Sequence, residues 1–296
     1  VELEGIDLLE ARDGRLVRND AVPDSLSVAR QVGLLPRPGS AAEQRLFGAF
    51  NAKTRMERRA VARRDLERVA DGVWLLRGGV PRTMNVYFLE DEGGGVTMYD
   101  AGIRSMTHAV AEAAAPLGGI NRIVLSHADA DHRGTASGLR VPVLCHPAEV
   151  EAAGSDEPVR SYMRLDKLGI PARYVYRRLM SFWDGGAVEI AGTVGEGDDV
   201  SGFRVVHLPG HAPGMIGLFR DSDRLALTGD CFYVVDPETS RKAPPGPPHE
   251  AFNEDTEQAR DSIRKLAALD PSAAWPAHLQ ALTGDVRAQL ERAASA

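Results

Sequence analysis

The stretch Arg122-Ile123-Val124-Leu125-Ser126-His127-Ala128-Asp129-Ala130-Asp131-His132 joins a β-branched, strand-like run to four side chains able to ligate a metal within six positions. Imidazoles and carboxylates crowded this closely disturb one another's protonation unless a cation sits among them. A metal centre at the end of a strand is therefore the economical reading.

Three further candidates follow, each at the end of an expected strand. They are His211 in Leu208-Pro209-Gly210-His211, Asp230 in Leu227-Thr228-Gly229-Asp230, and His278 in Trp275-Pro276-Ala277-His278. Strand ends and the loops after them are where an α/β fold presents reactive groups. Strand-like runs at 73–76, 85–89, 96–99, 122–126, 141–145, 203–208, 215–219, 224–227 and 273–276 alternate with helical segments at 106–115, 253–269 and 283–293. Asn253 and Thr283 are the expected caps of the last two helices. Mixed elements of this kind predict an α/β body with sheets inside and helices outside.

Taken together, these motifs resemble the metallo-β-lactamase fold superfamily over residues 69–296. The resemblance implies a four-layer αββα sandwich of two mixed β-sheets flanked by helices. It implies one ion held by His127, Asp129 and His211, a second by Asp131, His132 and His278, and Asp230 bridging them. Asp100, in Asp100-Ala101-Gly102, matches a turn in which the aspartate braces the metal loop. The motif departs from the family at Asp129, where a histidine is usual. A harder carboxylate ligand suits iron or manganese better than imidazole does, so the expected cofactors are two divalent ions, zinc as the resemblance implies, with iron or manganese admitted by Asp129. Asp is shorter than His, which leaves open whether Asp129 ligates directly, through water, or not at all. Tyr233 lies three positions after Asp230, the offset at which the lactonase branch carries a tyrosine that donates to the substrate carbonyl; its other reading is a strand-end tyrosine bonded to a backbone carbonyl.

The expected activity is dinuclear metal-dependent hydrolysis of a small carbonyl substrate (lactone, ester or thioester) by a metal-bound hydroxide. Asp131 is expected to orient the nucleophile and relay a proton, and Tyr233 to stabilise the oxyanion. Two alternatives stand beside it: a diiron or mononuclear iron redox enzyme of the same fold, and a noncatalytic metal-binding module. Reduction of a small gas would need a flavin domain, for which the 296 residues leave no room.

Residues 147–186 form an expected helical insertion carrying Tyr162, Met163, Tyr174, Tyr176, Met180, Phe182 and Trp183. They are read either as the insertion's own core or as a lid facing substrate. Pro244-Pro245-Gly246-Pro247-Pro248 reads as a stiff loop. His108, His146, His207 and His249 have no ligand-spaced partner and read as structural or surface residues. Cys231, next to Asp230, is expected to alternate into the core.

Residues 1–68 form an N-terminal extension: strand-like runs over 3–17 around Asp13-Gly14, a hairpin dipeptide, then a helix from Ser40 to about Arg64 opened by a Ser40/Glu43 capping box. Asp13-Gly14-Arg15 and Ala29-Arg30-Gln31-Val32-Gly33-Leu34-Leu35-Pro36 resemble the tail of polyketide-cyclase or ester-cyclase-like domains, which makes the extension a remnant or a dimer contact. The basic stretch from Arg55 to Arg68 is interrupted by Glu57, Asp65 and Glu67 and reads as a salt-bridged helical face.

A net charge of −7 argues against sequence-independent nucleic-acid binding, which needs a cationic surface. Two cysteines make no disulfide framework, and neither a bilayer-spanning run nor a signal segment is evident. A cytoplasmic protein with a small-molecule substrate, no nucleic-acid or membrane partner, and a homodimer as one option for assembly is the resulting expectation.

Overall fold

The computed structural model describes residues 5–12, 15–23, 40–41, 66–79, 82–239 and 241–296. The chain divides into two compact units, Val1–Arg63 and Arg64–Ala296. In the first, β1 (Gly5–Arg12) and β2 (Arg15–Pro23) form an antiparallel hairpin that closes at the pair Arg12 and Arg15. Asp13-Gly14, the segment 29–36 and nearly all of the helix expected from Ser40 lie outside the described residues.

The second unit begins with a seven-stranded mixed sheet built in chain order: β3 (Leu66–Ala70), β4 (Val73–Gly78), β5 (Met84–Glu90), β6 (Val96–Tyr99), β7 (Ile120–Val124), β8 (Val143–Cys145) and β9 (Gly192–Thr193). Strands β3 to β6 run antiparallel and the later pairs parallel. Next come β10 (Asp199–Val200), β11 (Phe203–His207), β12 (Ile216–Arg220) and β13 (Leu225–Leu227). A separate hairpin follows, β14 (Tyr233–Asp236) with β15 (Arg241–Gly246), and then β16 (Ala273–Trp275) and β17 (Leu282–Thr283). The second sheet has the order β10-β11-β12-β13-β16-β17.

Side-chain alternation explains why two sheets stack. On β4 and β5 the residues Val73, Leu75, Tyr87 and Leu89 face Phe203, Val205, Leu218 and Leu227 of the other sheet. Their neighbours Leu76, Val86 and Phe88 face outward onto Met106 and Val110, at the start of helix Thr107–Ala114. The outer face of the second sheet packs Val206, Phe219 and Ala274 against Ile263 and Leu266 of helix Thr256–Ala268 and Leu290 of helix Val286–Ser295. A strand buried on both faces tolerates a polar side chain only if it is bonded, and β5 is buried from Met84 to Leu89 with its one amide side chain, Asn85, donating to the Pro276 carbonyl. The result is the αββα sandwich with two mixed sheets.

Four local expectations are corrected. Helix Thr256–Ala268 is capped by Asp255, whose carboxylate accepts from the Gln258 amide, and not by Asn253. Helix Val286–Ser295 is capped by Asp285 rather than Thr283, which lies in β17. The proline-rich stretch is partly a strand: β15 pairs with β14 through Arg241, Lys242 and Gly246, skipping Pro244 and Pro245, which have no N–H to give. Arg68 is not on a helix; it sits in β3, bonded to Asp71 and stacked over Trp74. Cys231 is in the core, as expected from alternation. Among the described residues no helix is long and apolar enough to cross a membrane.

Candidate metal centre

Each candidate ligand is delivered by a strand end whose turn chemistry leaves few alternatives. After β7 the chain passes Ser126 and His127 and enters a short helix, Ala130–Arg133, with Asp129 extended at its N-cap. That turn gathers His127, Asp129, Asp131 and His132 at one strand end, with the His127 and His132 rings 3.9 Å apart. Beyond β11, Gly210 adopts φ +125°, and a Cβ there would lie 2.1 Å from the Ala259 amide nitrogen, so His211 can approach only behind a glycine. After β13, Gly229 adopts φ +51° with Ser126 close behind it, and Asp230 follows. Beyond β16 the Pro276 carbonyl accepts from the Asn85 amide (2.8 Å) and the Tyr87 hydroxyl (2.6 Å), which fixes the loop bearing His278.

The structure brings all seven residues together in three overlapping groups: His127 with Asp129 and His211, His127 with His132 and Asp230, and Asp131 with His132 and His278. Asp129 Oδ2 lies 3.5 Å from His127 Nε2 and 3.4 Å from His211 Nε2. Asp230 Oδ2 lies 3.5 Å from His132 Nε2 and 3.7 Å from His211 Nε2, while its Oδ1 lies 3.4 Å from His278 Nε2. His278 Nε2 is 3.6 Å from Asp131 Oδ2. Such separations are long for hydrogen bonds. They match the edges of a coordination shell instead, since bonds of about 2.0–2.2 Å in a tetrahedral arrangement separate neighbouring ligands by roughly 3.3–3.6 Å. Moreover, Nε2 of His127, His132 and His211 and Oδ1 of Asp230 are buried with no hydrogen-bond partner. Buried polar atoms left unpaired are costly, and these are aimed at one another's neighbourhood. The donor set fits a divalent cation.

The far side of each imidazole is held. His132 Nδ1 faces Asp100 Oδ2 at 3.0 Å and His211 Nδ1 faces Asn253 Oδ1 at 3.2 Å. The Ser126 hydroxyl donates to Asp100 Oδ2 at 2.9 Å and faces His127 Nδ1 at 2.9 Å. These acceptors favour the Nδ1–H tautomer and leave each Nε2 lone pair pointing into the centre. Asp100 itself adopts φ +60°, so the expected brace is a residue in left-handed backbone.

Electrostatics run in the same direction. Burial pushes the carboxyl of Asp230 up, but the His278 and His132 imidazoles outweigh it and hold it well below the usual carboxylate range. Asp129 behaves likewise beside His127, His211 and Arg160. Burial alone would depress His132, yet Asp100, Asp230 and Asp131 raise it well above an ordinary histidine. The depressed carboxylates of Asp129 and Asp230 and the raised imidazole of His132 all mark a place that favours positive charge.

Tyr233 lies at the mouth, its hydroxyl donating to Asp230 Oδ2 at 2.9 Å. Burial, then the carboxylates of Asp230 and Asp131, push its phenol well above the usual tyrosine range, so it remains a donor. The cleft in front is walled by Met163, Tyr176, Met180 and Trp183 of the 147–186 segment and by Met84 and Phe252. Part of the insertion is thus a wall of this cleft, formed mainly by helix Ile170–Trp183, whereas Tyr174 and Phe182 on the same helix are exposed. The remaining histidines stand apart: His108 pairs with Glu112, and His146 stacks on His207 at 4.3 Å.

Sequence reasoning missed three groups around the centre. Asn253, expected as a helix cap, instead orients His211. Glu149 and Arg160, from the insertion, reach Asp129 and the loops beside it. Asn253, 42 residues from His211, and Arg160, 31 from Asp129, had no local signal to betray them.

Candidate metal ligands gathered at the strand ends of an αββα sandwich are the arrangement of the metallo-β-lactamase fold. The chain belongs to the metallo-beta-lactamase superfamily, whose family model matches residues 79–278. It is similar to the probable metallo-hydrolase YflN of Bacillus subtilis (strain 168), 28% identical over 222 residues covering 68% of this chain and 82% of that protein. Among solved structures, it resembles the metallo-beta-lactamase family protein TTHA1429 of Thermus thermophilus, with TM-score 0.56 and 21% identity over 77% of this chain and 80% of that one. It also resembles TTHA1623 in a di-iron-bound form, with TM-score 0.54 and 20% identity over 74% of this chain and 97% of that one. The fold and the metallo-hydrolase class follow.

Proposed function

We propose that the protein is a dinuclear metal-dependent hydrolase of a neutral, largely apolar carbonyl substrate: a lactone, ester or thioester. The convergence of unpaired Nε2 and carboxylate oxygens carries this reading. His127, Asp129 and His211 would hold one ion, Asp131, His132 and His278 the other, with Asp230 between them. The ions would supply Lewis acidity toward water and toward the scissile carbonyl.

The chain's own residues do the rest. Asp131 has the most exposed carboxylate of the cluster, 17% against 3% for Asp230 and 6% for Asp129, so it is placed to take a proton from the nucleophile and pass it to the leaving oxygen. Tyr233 keeps its proton and donates to the oxygen on which negative charge develops, exchanging its bond to Asp230 for one to substrate. Met163, Tyr176, Met180 and Trp183 bind the apolar part of the substrate and keep bulk water from the reacting bond. Among the described residues the cleft lining has no Lys or Arg, which disfavours phosphorylated or carboxylated substrates. A panel of lactones, esters, thioesters, phosphoesters and β-lactams, assayed beside elemental analysis, tests the reading. Turnover confined to phosphoesters would overturn the substrate class.

The carboxylate at position 129 favours a second reading of the occupant, iron, and the di-iron relative lends it support. Iron in the purified protein together with oxygen consumption would move the function to redox chemistry.

A further inference from the structure

A shorter carboxylate stands where the superfamily motif carries an imidazole, and a buried arginine holds one of its two oxygens. The Arg160 Nη1 donates to Asp129 Oδ1 at 3.1 Å and to Glu149 Oε2 at 2.7 Å. All three side chains are withdrawn from solvent, with exposures of 10%, 6% and 0% for Arg160, Asp129 and Glu149. Glu149 is in turn fixed by two amides, Ala128 N on its Oε2 and Gly214 N on its Oε1, each at 2.9 Å. Those amides belong to the loops that carry His127 and His211. One buried glutamate therefore ties together the loops of two candidate ligands, and one guanidinium ties the third, Asp129, to that glutamate.

The consequence is directional. With Oδ1 engaged by Arg160, Asp129 presents only Oδ2 to His127 Nε2 and His211 Nε2, at 3.5 and 3.4 Å. A free carboxylate could turn either oxygen, or both, toward a cation; this one cannot without losing a charge-assisted bond. Arg160 cannot be a simple charge mask, because Glu149 already shares its single charge. The side-chain bonds of Arg160 and Glu149 go to Asp129 and to the Ala128 and Gly214 amides, and none of them goes to Asp131, His132 or His278; the one link to that side is the His132 amide on the Asp129 carbonyl at 2.9 Å, which a change at residue 160 leaves in place.

We infer that Arg160, seated on Glu149, is a positioning residue that makes Asp129 a one-oxygen ligand of the His127/Asp129/His211 site, and that it acts on that site alone. This rests on the metal-centre reading above. Because one nitrogen makes both bonds, a lysine ammonium, one atom shorter, can keep the charge and both donations while losing the guanidinium's stacking over Tyr162 at 5.1 Å, whereas glutamine, uncharged and two atoms shorter, can keep neither.

Chelator-competition titration of metal-free protein with zinc tests the inference, using wild type, Arg160→Lys, Arg160→Gln, Asp129→His and the Asp129→His/Arg160→Gln double variant. Arg160→Gln is expected to weaken one of two zinc equivalents by on the order of 10–100-fold and leave the other unchanged. Arg160→Lys should recover most of that loss. In the Asp129→His background the Gln change should cost nothing, since an imidazole at 129 takes no bond from residue 160. Equal weakening of both equivalents, no weakening, or the same penalty in the Asp129→His background would each overturn the positioning role. Wild type that takes up no zinc would instead defeat the metal-centre reading itself.

Discussion

The Tyr233 hydroxyl donates to Oδ2 of Asp230 at 2.9 Å, the same oxygen that lies 3.5 Å from His132 Nε2. A donor parked on the central carboxylate of the cluster, at the mouth of an apolar cleft, is one bond away from a substrate oxygen. Tyr233→Phe is therefore expected to lower kcat on the order of 100-fold while KM and metal content stay close to wild type. Steady-state kinetics with elemental analysis of the variant checks this, and an unchanged kcat would return Tyr233 to a structural role.

Asp131 and His211 sit on opposite sides of the cluster. Asp131→Ala or His211→Ala should each abolish hydrolysis while far-UV circular dichroism stays native, because neither side chain is part of the apolar clusters between and outside the sheets. Retained turnover in either variant would exclude the proposed mechanism.

Arg133, adjacent to His132, is buried and donates from Nε and Nη2 to the two carboxylate oxygens of Asp184 at 2.9 and 3.1 Å, and to the carbonyls of Ala153 and Glu157. It fastens the metal loop to the residue that ends the cleft helix Ile170–Trp183. Arg133→Met leaves Asp184 buried without a partner, and such a break costs about 3–5 kcal/mol. Urea denaturation measures it; a loss below about 1 kcal/mol would mean that water reaches the site.

Metal removal should introduce a fall of stability with rising pH. Burial depresses His132, His211 and His278, but neighbouring carboxylates raise each above an ordinary histidine, Asp100 first for His132, Asp129 for His211 and Asp230 for His278. A raised folded pKa contributes stability that is fully present below the unfolded value of about 6.5 and is lost as pH climbs through the folded value. Chelator-treated protein should thus melt at a lower temperature at pH 9 than at pH 6, and a bound dication should remove that fall, since it takes the place of the protons. Thermal melts at both pH values, with and without metal, decide it.

Met163, Met180 and Trp183 line the cleft, and on the proposed reading this apolar wall is expected to set a substrate preference. Each added methylene that reaches it is worth about 0.8 kcal/mol, or about fourfold in kcat/KM. A homologous series of acyl or alkyl chains should show that slope in wild type and a flatter one in Trp183→Ala. A slope that is flat from the start would place the chain outside the cleft.

Much of this is legible in the sequence alone. Strand ends carrying His and Asp announce themselves because apolar runs such as Ile123-Val124-Leu125 and Leu225-Ala226-Leu227 stop where the candidate ligands begin, whereas the burial of β5 on both faces, Asn85 included, shows only once the two sheets are stacked. Helix caps are less legible: Asn253 and Thr283 have cap chemistry, but Asp255 and Asp285, two residues further on, do the capping, and Asn253 is needed by His211. Arg160 and Glu149 are invisible because their partners come from other loops, and no periodicity links residues 128, 149, 160 and 214. In the insertion the aromatic content is plain, but only the packing of helix Ile170–Trp183 separates Tyr176 and Trp183, on the cleft, from Tyr174 and Phe182, on the outside.

Stepwise chelation of active protein, following bound metal by elemental analysis and hydrolysis in the same samples, tests the central claim most directly. The expected result is two divalent ions per chain, hydrolysis falling as they are withdrawn, and recovery when they are returned. Full turnover by protein stripped of metal would contradict it.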